Sequence, residues 1–264
     1  MKAYPRDVEV RKMKSRHVGI ENELYIKDSH AQQVDTGWGS SNRDFNDEVK
    51  RKLEESKILR DMTYDGGGRE LRTVPIKLVA FYQKRGSLYI RNYYSTLKES
   101  TKTIRSGGTH VHMSILKGDH PNTEANVLAI STAFHEQMQK VCGRKSSWAT
   151  KLQARNMEYI KRWLEVGYRG RGRTYVRGYL MITPTALQTM EMRGGKGSND
   201  VDEVLAWVEM LKNIVEASNT DSVNGVVFED LIKGEFISKY VNKLGGWRKI
   251  GKKDLKSKVD INNL

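Results

Sequence analysis

Cysteine is almost absent from this sequence: of 264 residues, Cys142 is the only one. An internal disulfide framework and a cysteine-rich zinc module are therefore excluded. Prolines number four, and with no low-complexity tract this argues against long disorder. No apolar run approaches the roughly 18 residues of a membrane-spanning segment, so no membrane span is expected. Met1 to Lys14 lacks the apolar stretch of a secretory signal. The expected setting is a reducing cytoplasm. Acidic charge is also scarce. Lys and Arg number 46 against 32 Asp and Glu, a formal charge of +14. The excess implies an anionic partner: a nucleic acid, a nucleotide, an acidic polymer or a membrane surface. Charge alone does not choose among them.

What is present reads as one domain over 1–264, α+β in class. Ile20, Leu24 and Ile26 alternate with Glu21 and Glu23, the period of a strand. Asn42 to Ile58 carries Phe45, Val49 and Leu53 at helical spacing. Asp65 to Gly68 reads as a turn, and Arg69 to Leu78 as a strand. Tyrosine-rich Ser87 to Tyr94 and Thr109 to Leu116 read as further strands. Helices are expected after Asn122, around Leu152, Ile160 and Trp163, and after Asp200, where Glu203 suits a capping box. Leu187 to Arg193 is a short strand. Strands and helices do not alternate regularly, so a mainly antiparallel sheet is expected, with helices on one side.

One pattern recurs. Four of the strands carry polar side chains at i and i+2: Glu21/Glu23, Glu70/Arg72, His110/His112 and Glu191/Arg193. Such side chains share a face, about 7 Å apart. In one sheet, they would gather carboxylates, imidazoles and guanidinium groups on one side. Clustered carboxylates need a cation or protons to coexist. Mg²⁺ and Mn²⁺ prefer carboxylate oxygens, and Mn²⁺ also accepts imidazole. Arg72 and Arg193 suit a phosphate or a substrate carboxylate, gripped through two N–H groups.

Two basic segments stand apart. Gly167 to Gly178 interleaves glycine with Arg169, Arg171, Arg173 and Arg177, which can clamp phosphate oxygens. A helical part over 199–242 leads to a basic tail at 243–264. Its seven cations, Lys243, Arg248, Lys249, Lys252, Lys253, Lys256 and Lys258, face one acid, Asp254, as far as Lys258. Such a tail is expected to be mobile or docked on an anion, recruiting an acidic polymer or nucleic acid. Cys142, ending an apolar helical stretch, reads as a buried small hydrophobe.

The segments G-I-E-N-E-L from Gly19, Y-D-G-G-G-R-E-L-R-T-V-P from Tyr64 and S-G-G-T-H-V-H-M-S from Ser106 stand in that order, followed by E-M-R from Glu191. Together they resemble the amidoligase family of carboxylate–amine ligases, related to glutamine synthetase and glutamate–cysteine ligase. The likeness runs from Val18 to Gly195. It implies a curved, mainly antiparallel sheet forming a funnel backed by helices, with ATP and Mg²⁺ or Mn²⁺ as cofactors. It implies an amide bond made through an acyl phosphate, from a carboxylate and an amine on a small molecule, peptide or protein side chain. Glu21, Glu23, Glu70, His110 and Glu191 resemble the metal ligands. His112 resembles the residue near the ATP phosphates. Arg193, with arginines of the 167–178 loop, resembles the phosphate-binding group, which makes His112 and Arg193 the expected catalytic pair. Ser106, Gly107 and Gly108, with Arg72, are expected beside the acceptor carboxylate. The competing reading is a metal-dependent nuclease or phosphoesterase acting on a polyanion.

Overall fold

The computed structural model describes residues 16–35, 41–65, 68–103, 107–144, 181–185 and 188–263. The expected helix around Leu152 to Trp163, the arginine–glycine loop with Arg169, Arg171, Arg173 and Arg177, and Ser106 lie outside the described residues. The architecture is mixed α/β, with an eight-stranded sheet and a separate two-stranded one. Every described ladder below is antiparallel, as expected, and helices back the large sheet. The chain divides into two compact units, Met1–Thr109 with Lys196–Val204 and His110–Gly195 with Leu205–Leu264.

In the first unit, strand β1 (His17–Ile26) alternates strictly. Val18, Ile20, Asn22, Leu24 and Ile26 are buried, and Glu21 and Glu23 lie on the other face. The buried Asn22 is not an error in the pattern. Its Oδ1 accepts from the Tyr94 hydroxyl at 3.1 Å, which satisfies a polar group in the core. Strands β2 (Ala31–Asp35) and β3 (Ser41–Phe45) form the small sheet. Phe45 thus belongs to a strand, and helix α1 (Asp47–Glu55) starts later than its sequence spacing suggests. Asn46 sets that start by accepting from the Val49 N–H at 3.0 Å. Strands β4 (Leu59–Asp65) and β5 (Gly68–Thr73) pair with each other, and β5 pairs with β1. Strands β6 (Ile76–Lys77) and β7 (Thr101–Thr103) also pair with β1.

Ser87 to Tyr94 is helical, not a strand. It lies within α2 (Lys84–Ser100), which buries Ile90, Tyr93, Tyr94, Leu97 and Ser100. These positions follow the helical period, and packing overrides the strand preference of tyrosine and isoleucine. Gly86 fits for a steric reason: a Cβ there would stand 2.3 Å from the Ala80 carbonyl oxygen.

The second unit receives strand β8 (Gly108–Ser114) from His110 onward. The helix after Asn122 is two helices, α3 (Thr123–Ala133) and α4 (His135–Cys142), broken at Phe134. The Asn122 side chain makes no cap bond. Instead the Thr123 hydroxyl donates to the His120 carbonyl at 2.7 Å. Strand β9 (Ile182–Pro184) pairs with β10 (Thr189–Lys196), and β10 neighbours β8. Helix α5 (Val201–Ala217) begins after Asp200, which accepts from the Asp202 N–H at 2.9 Å. The expected capping box is absent. Glu203 accepts from the Ser198 hydroxyl and pairs with Lys196, while the Asp200 N–H donates to Ser198 Oγ.

Three short helices follow: α6 (Phe228–Leu231), α7 (Ile237–Val241) and α8 (Lys252–Leu255). The tail is packed onto preceding segments. Val259 is buried and exchanges backbone bonds with Val226 and Gly225. Lys140 pairs with Asp254 at 2.9 Å. Arg248 donates to the Lys140 and Val141 carbonyls at 2.9 and 2.7 Å. The like charges do not expel the segment because its lysines stay at the surface, while Arg248 and Val259 anchor it.

Candidate functional site

Each unit places its share of the polar pairs on one face. In the first, the β1–β5 register sets Glu21 opposite Arg72 and Glu23 opposite Glu70. On the far side of β5, Asp61 of β4 stands opposite Arg72. Arg72 is the shared cation. Its Nε lies 2.7 Å from Glu70 Oε1 and 3.7 Å from Glu21 Oε1, and its Nη1 lies 3.8 Å from Asp61. Burial works to lower its pKa, but Glu70, Glu21 and Asp61 hold the proton more tightly, and the net shift is upward. Three carboxylates thus surround one guanidinium. Glu23 and Glu70 oppose each other directly, an arrangement that costs stability unless a cation lies nearby.

Glu23 also accepts a hydrogen bond from the Gly108 N–H, at the start of β8. The preceding Gly107 receives the Gly197 N–H on its carbonyl at 2.9 Å, and Thr109 Oγ1 receives the Ser198 N–H at 3.0 Å. Gly107 and Thr109 are therefore stitched to the segment after β10, and the Gly108 amide meets a carboxylate of β1.

In the second unit, β8 points Val111 and Met113 into the core and His110 and His112 the other way. On β10, Met190 and Met192 are buried, while Thr189, Glu191 and Arg193 occupy the alternate positions. Glu191 Oε1 is the hub. Arg193 Nη1 donates to it at 2.6 Å, His110 Nδ1 lies at 3.4 Å and His112 Nε2 at 4.0 Å. His112 Nδ1 is 3.5 Å from the Thr189 hydroxyl, which meets Thr185 Oγ1 at 2.7 Å. His110 is nearly sealed from solvent, with 4% of its side chain exposed.

The predicted residues thus fall into two groups, with Glu21, Glu23, Glu70, Arg72, Gly107 and Gly108 in one unit and His110, His112, Glu191 and Arg193 in the other. Three partners escaped the sequence reading: Asp61, Thr189 and Arg144. Arg144 Nη1 lies 3.4 Å from His110 Nε2 and donates to the Arg193 carbonyl at 3.1 Å. None carries a sequence signal beyond being polar, although Thr189 could have been found by extending the i, i+2 register of β10 one step back.

The donor chemistry fits a hard divalent cation. The first group offers carboxylate oxygens, and the second adds a carboxylate with imidazole nitrogens. The guanidinium groups of Arg72 and Arg193 are held by carboxylates on the same faces, ready to accept an anion in their place.

No family model matches the chain, and no curated protein does. Among solved structures, it is similar to the ligase PafA in complex with the prokaryotic ubiquitin-like protein Pup. The identity is 13% and the TM-score 0.36, over 86% of this chain and 50% of that one. It is also similar to GmaS without ligand, at 12% identity and TM-score 0.42, over 80% of this chain and 57% of that one. The chain spans about half the length of these structures.

Proposed function

We propose that the chain is an ATP-dependent carboxylate–amine ligase that forms an amide through an acyl phosphate. The observation that carries this reading is the Glu191 hub, where adjacent strands place His110, His112 and Arg193 around one carboxylate oxygen. His110 and His112 come from the most specific segment of the ligase-like order, and Glu191 and Arg193 from its fourth element. The register that sets Glu23 opposite Glu70, with Arg72 on Glu70, is consistent with a further cation at this face.

In this reading, Glu21, Glu23 and Glu70 of the first unit and His110 and Glu191 of the second are the metal ligands. Mg²⁺ or Mn²⁺, when bound, neutralises phosphate oxygens of ATP. Arg193 exchanges its Glu191 contact for the phosphoryl group in transit, with arginines of the 167–178 loop assisting. His112 lies near the phosphates and is oriented by Thr189. Arg72 and the Ser106–Gly108 turn hold the acceptor carboxylate. A carboxylate oxygen forms a bond to the γ-phosphorus as the bond to ADP breaks. The amine nitrogen then attacks the acyl carbon, phosphate leaves, and the nitrogen gives up a proton.

The test is phosphate release from ATP and Mg²⁺ in the presence of pooled carboxylates and amines. Turnover should require both ATP and a carboxylate. Arg193→Ala should reduce it by about 10³–10⁵ with an unchanged circular-dichroism spectrum, the range for an arginine stabilising phosphoryl-transfer charge. Unaltered turnover in that variant removes Arg193 from the assignment. Metal-dependent cleavage of a polyanion without ATP would replace the ligase reading with a phosphoesterase one.

A further inference from the structure

Arg144 belongs to none of the motifs, yet it is buried, at 6% exposure. It follows α4 through Gly143, whose φ of 76° turns the chain out of the helix. Gly143 bridges to Gly195 of β10, so the Arg144 backbone starts beside the strand that carries Glu191. From there Nη1 reaches both the Arg193 carbonyl, at 3.1 Å, and His110 Nε2, at 3.4 Å.

The two edges of the His110 ring therefore meet opposite chemistries. Nε2 faces a guanidinium, which has only donors. Nδ1 faces Glu191 Oε1 at 3.4 Å, and an ionised carboxylate only accepts. A neutral imidazole has one donor and one acceptor nitrogen, and its surroundings select which is which. With Arg144 on one side and Glu191 on the other, the lone pair belongs on Nε2 and the proton on Nδ1.

We propose that Arg144 is a positioning residue that holds His110 as the Nδ1–H tautomer, so that the ring donates to Glu191 and keeps that carboxylate aligned with Arg193. The same guanidinium nitrogen ties the Arg193 carbonyl to the ring. One side chain thus couples β8 to β10 at the hub. The atom of His110 turned towards Glu191 is Nδ1, so an ion shared by those two residues has to displace the Nδ1 proton, which Arg144 opposes by facing Nε2.

The ring geometry carries this inference, and only its consequence for turnover rests on the ligase reading. The direct test uses protein labelled with ¹⁵N in histidine, held in chelator at about pH 8, where an ordinary histidine is neutral. The long-range imidazole spectrum reports the tautomer, and His110→Gln identifies the His110 signals by their loss. The wild type should show Nδ1–H. Arg144→Met should raise the share of Nε2–H in the His110 signals, since Glu191 alone then holds the proton on Nδ1, and Arg144→Lys, which keeps a donor, should retain the wild-type share. A wild-type spectrum of the Nε2–H form, or an unchanged Nε2–H share in Arg144→Met, overturns the proposal. If Arg144→Met does not fold, the wild-type spectrum decides alone. In turnover, Arg144→Met should lower the Mn²⁺ concentration needed for half-maximal rate, because an ion taking Nδ1 moves the ring proton to Nε2, against the Arg144 guanidinium, and Arg144→Lys should stay close to the wild type. Absence of ATP turnover in the wild type would sink the ligase reading and leave the spectrum to judge Arg144.

Discussion

Removing the Arg248 side chain separates two accounts of the basic tail. A solvated, mobile tail predicts that Arg248→Ala changes nothing in the fold. In the structure, Arg248 closes the C-terminal end of α4, donating through Nε to the Lys140 carbonyl and through Nη2 to the Val141 carbonyl. Nη2 also meets the Tyr240 hydroxyl, and the guanidinium carbon lies 5.6 Å from that ring's centroid. The carbonyls at a helix end have no partners within the helix and carry its negative pole. A charged donor there is worth about 1.5–3 kcal/mol per hydrogen bond when shielded, less when part-exposed, and the pole adds about 0.3–1 kcal/mol. Arg248 is half-buried, so the expected loss in Arg248→Ala is about 2–4 kcal/mol. In urea that lowers the unfolding midpoint by about 1–2 M at a slope of about 2 kcal/mol/M. Tryptophan fluorescence can follow the transition, since Trp207 is buried and its indole N–H meets the Val141 carbonyl of the same helix. Arg248→Lys keeps the charge without the two-pronged geometry and should recover less than half of the loss. A change below about 0.5 kcal/mol in Arg248→Ala, the usual range for surface substitutions, would refute the anchoring role.

Two further outcomes are expected. A double-mutant cycle on Glu23→Gln and Glu70→Gln, measured by denaturation in chelator, should give a repulsive coupling of about 0.2–1 kcal/mol, which Mg²⁺ or Mn²⁺ abolishes or reverses; zero coupling in chelator would contradict a cation-seeking face. Asp254 is held below the usual carboxylate range: partial burial pushes its pKa up, but the Lys140 ammonium and the Gly251 N–H outweigh it. Its contribution is therefore present above the unfolded pKa, about 3.9, and lost as pH falls through the lower folded value. Asp254→Asn should cost about 1 kcal/mol or less at pH 7 and flatten the acid limb below about pH 4, and an acid limb identical to the wild type would contradict this.

The parts of the site legible in the sequence are those governed by local geometry. A period of two puts Glu21 and Glu23 on one face whatever β1 pairs with, and the same holds for Glu70/Arg72, His110/His112 and Glu191/Arg193. The structure keeps all four pairs on strands, with the apolar residues between them buried. Asn22 broke that pattern because its partner, the Tyr94 hydroxyl, lies 72 residues away on a helix that the tyrosine-rich composition disguised as a strand. The contacts of the tail were hidden for a related reason. Like charges repel in a solvated chain, but one arginine meeting the end of a helix and one buried valine are enough to dock it, and neither carries a periodic signal. Arg144 is the sharpest case. It sits alone after a helix-ending glycine, and its role depends on a ring 34 residues earlier and a carbonyl 49 residues later. A single buried cation is costly unless polar groups surround it. Its neighbours therefore had to be in place before its burial made sense, and only the folded chain brings β8 and β10 to it.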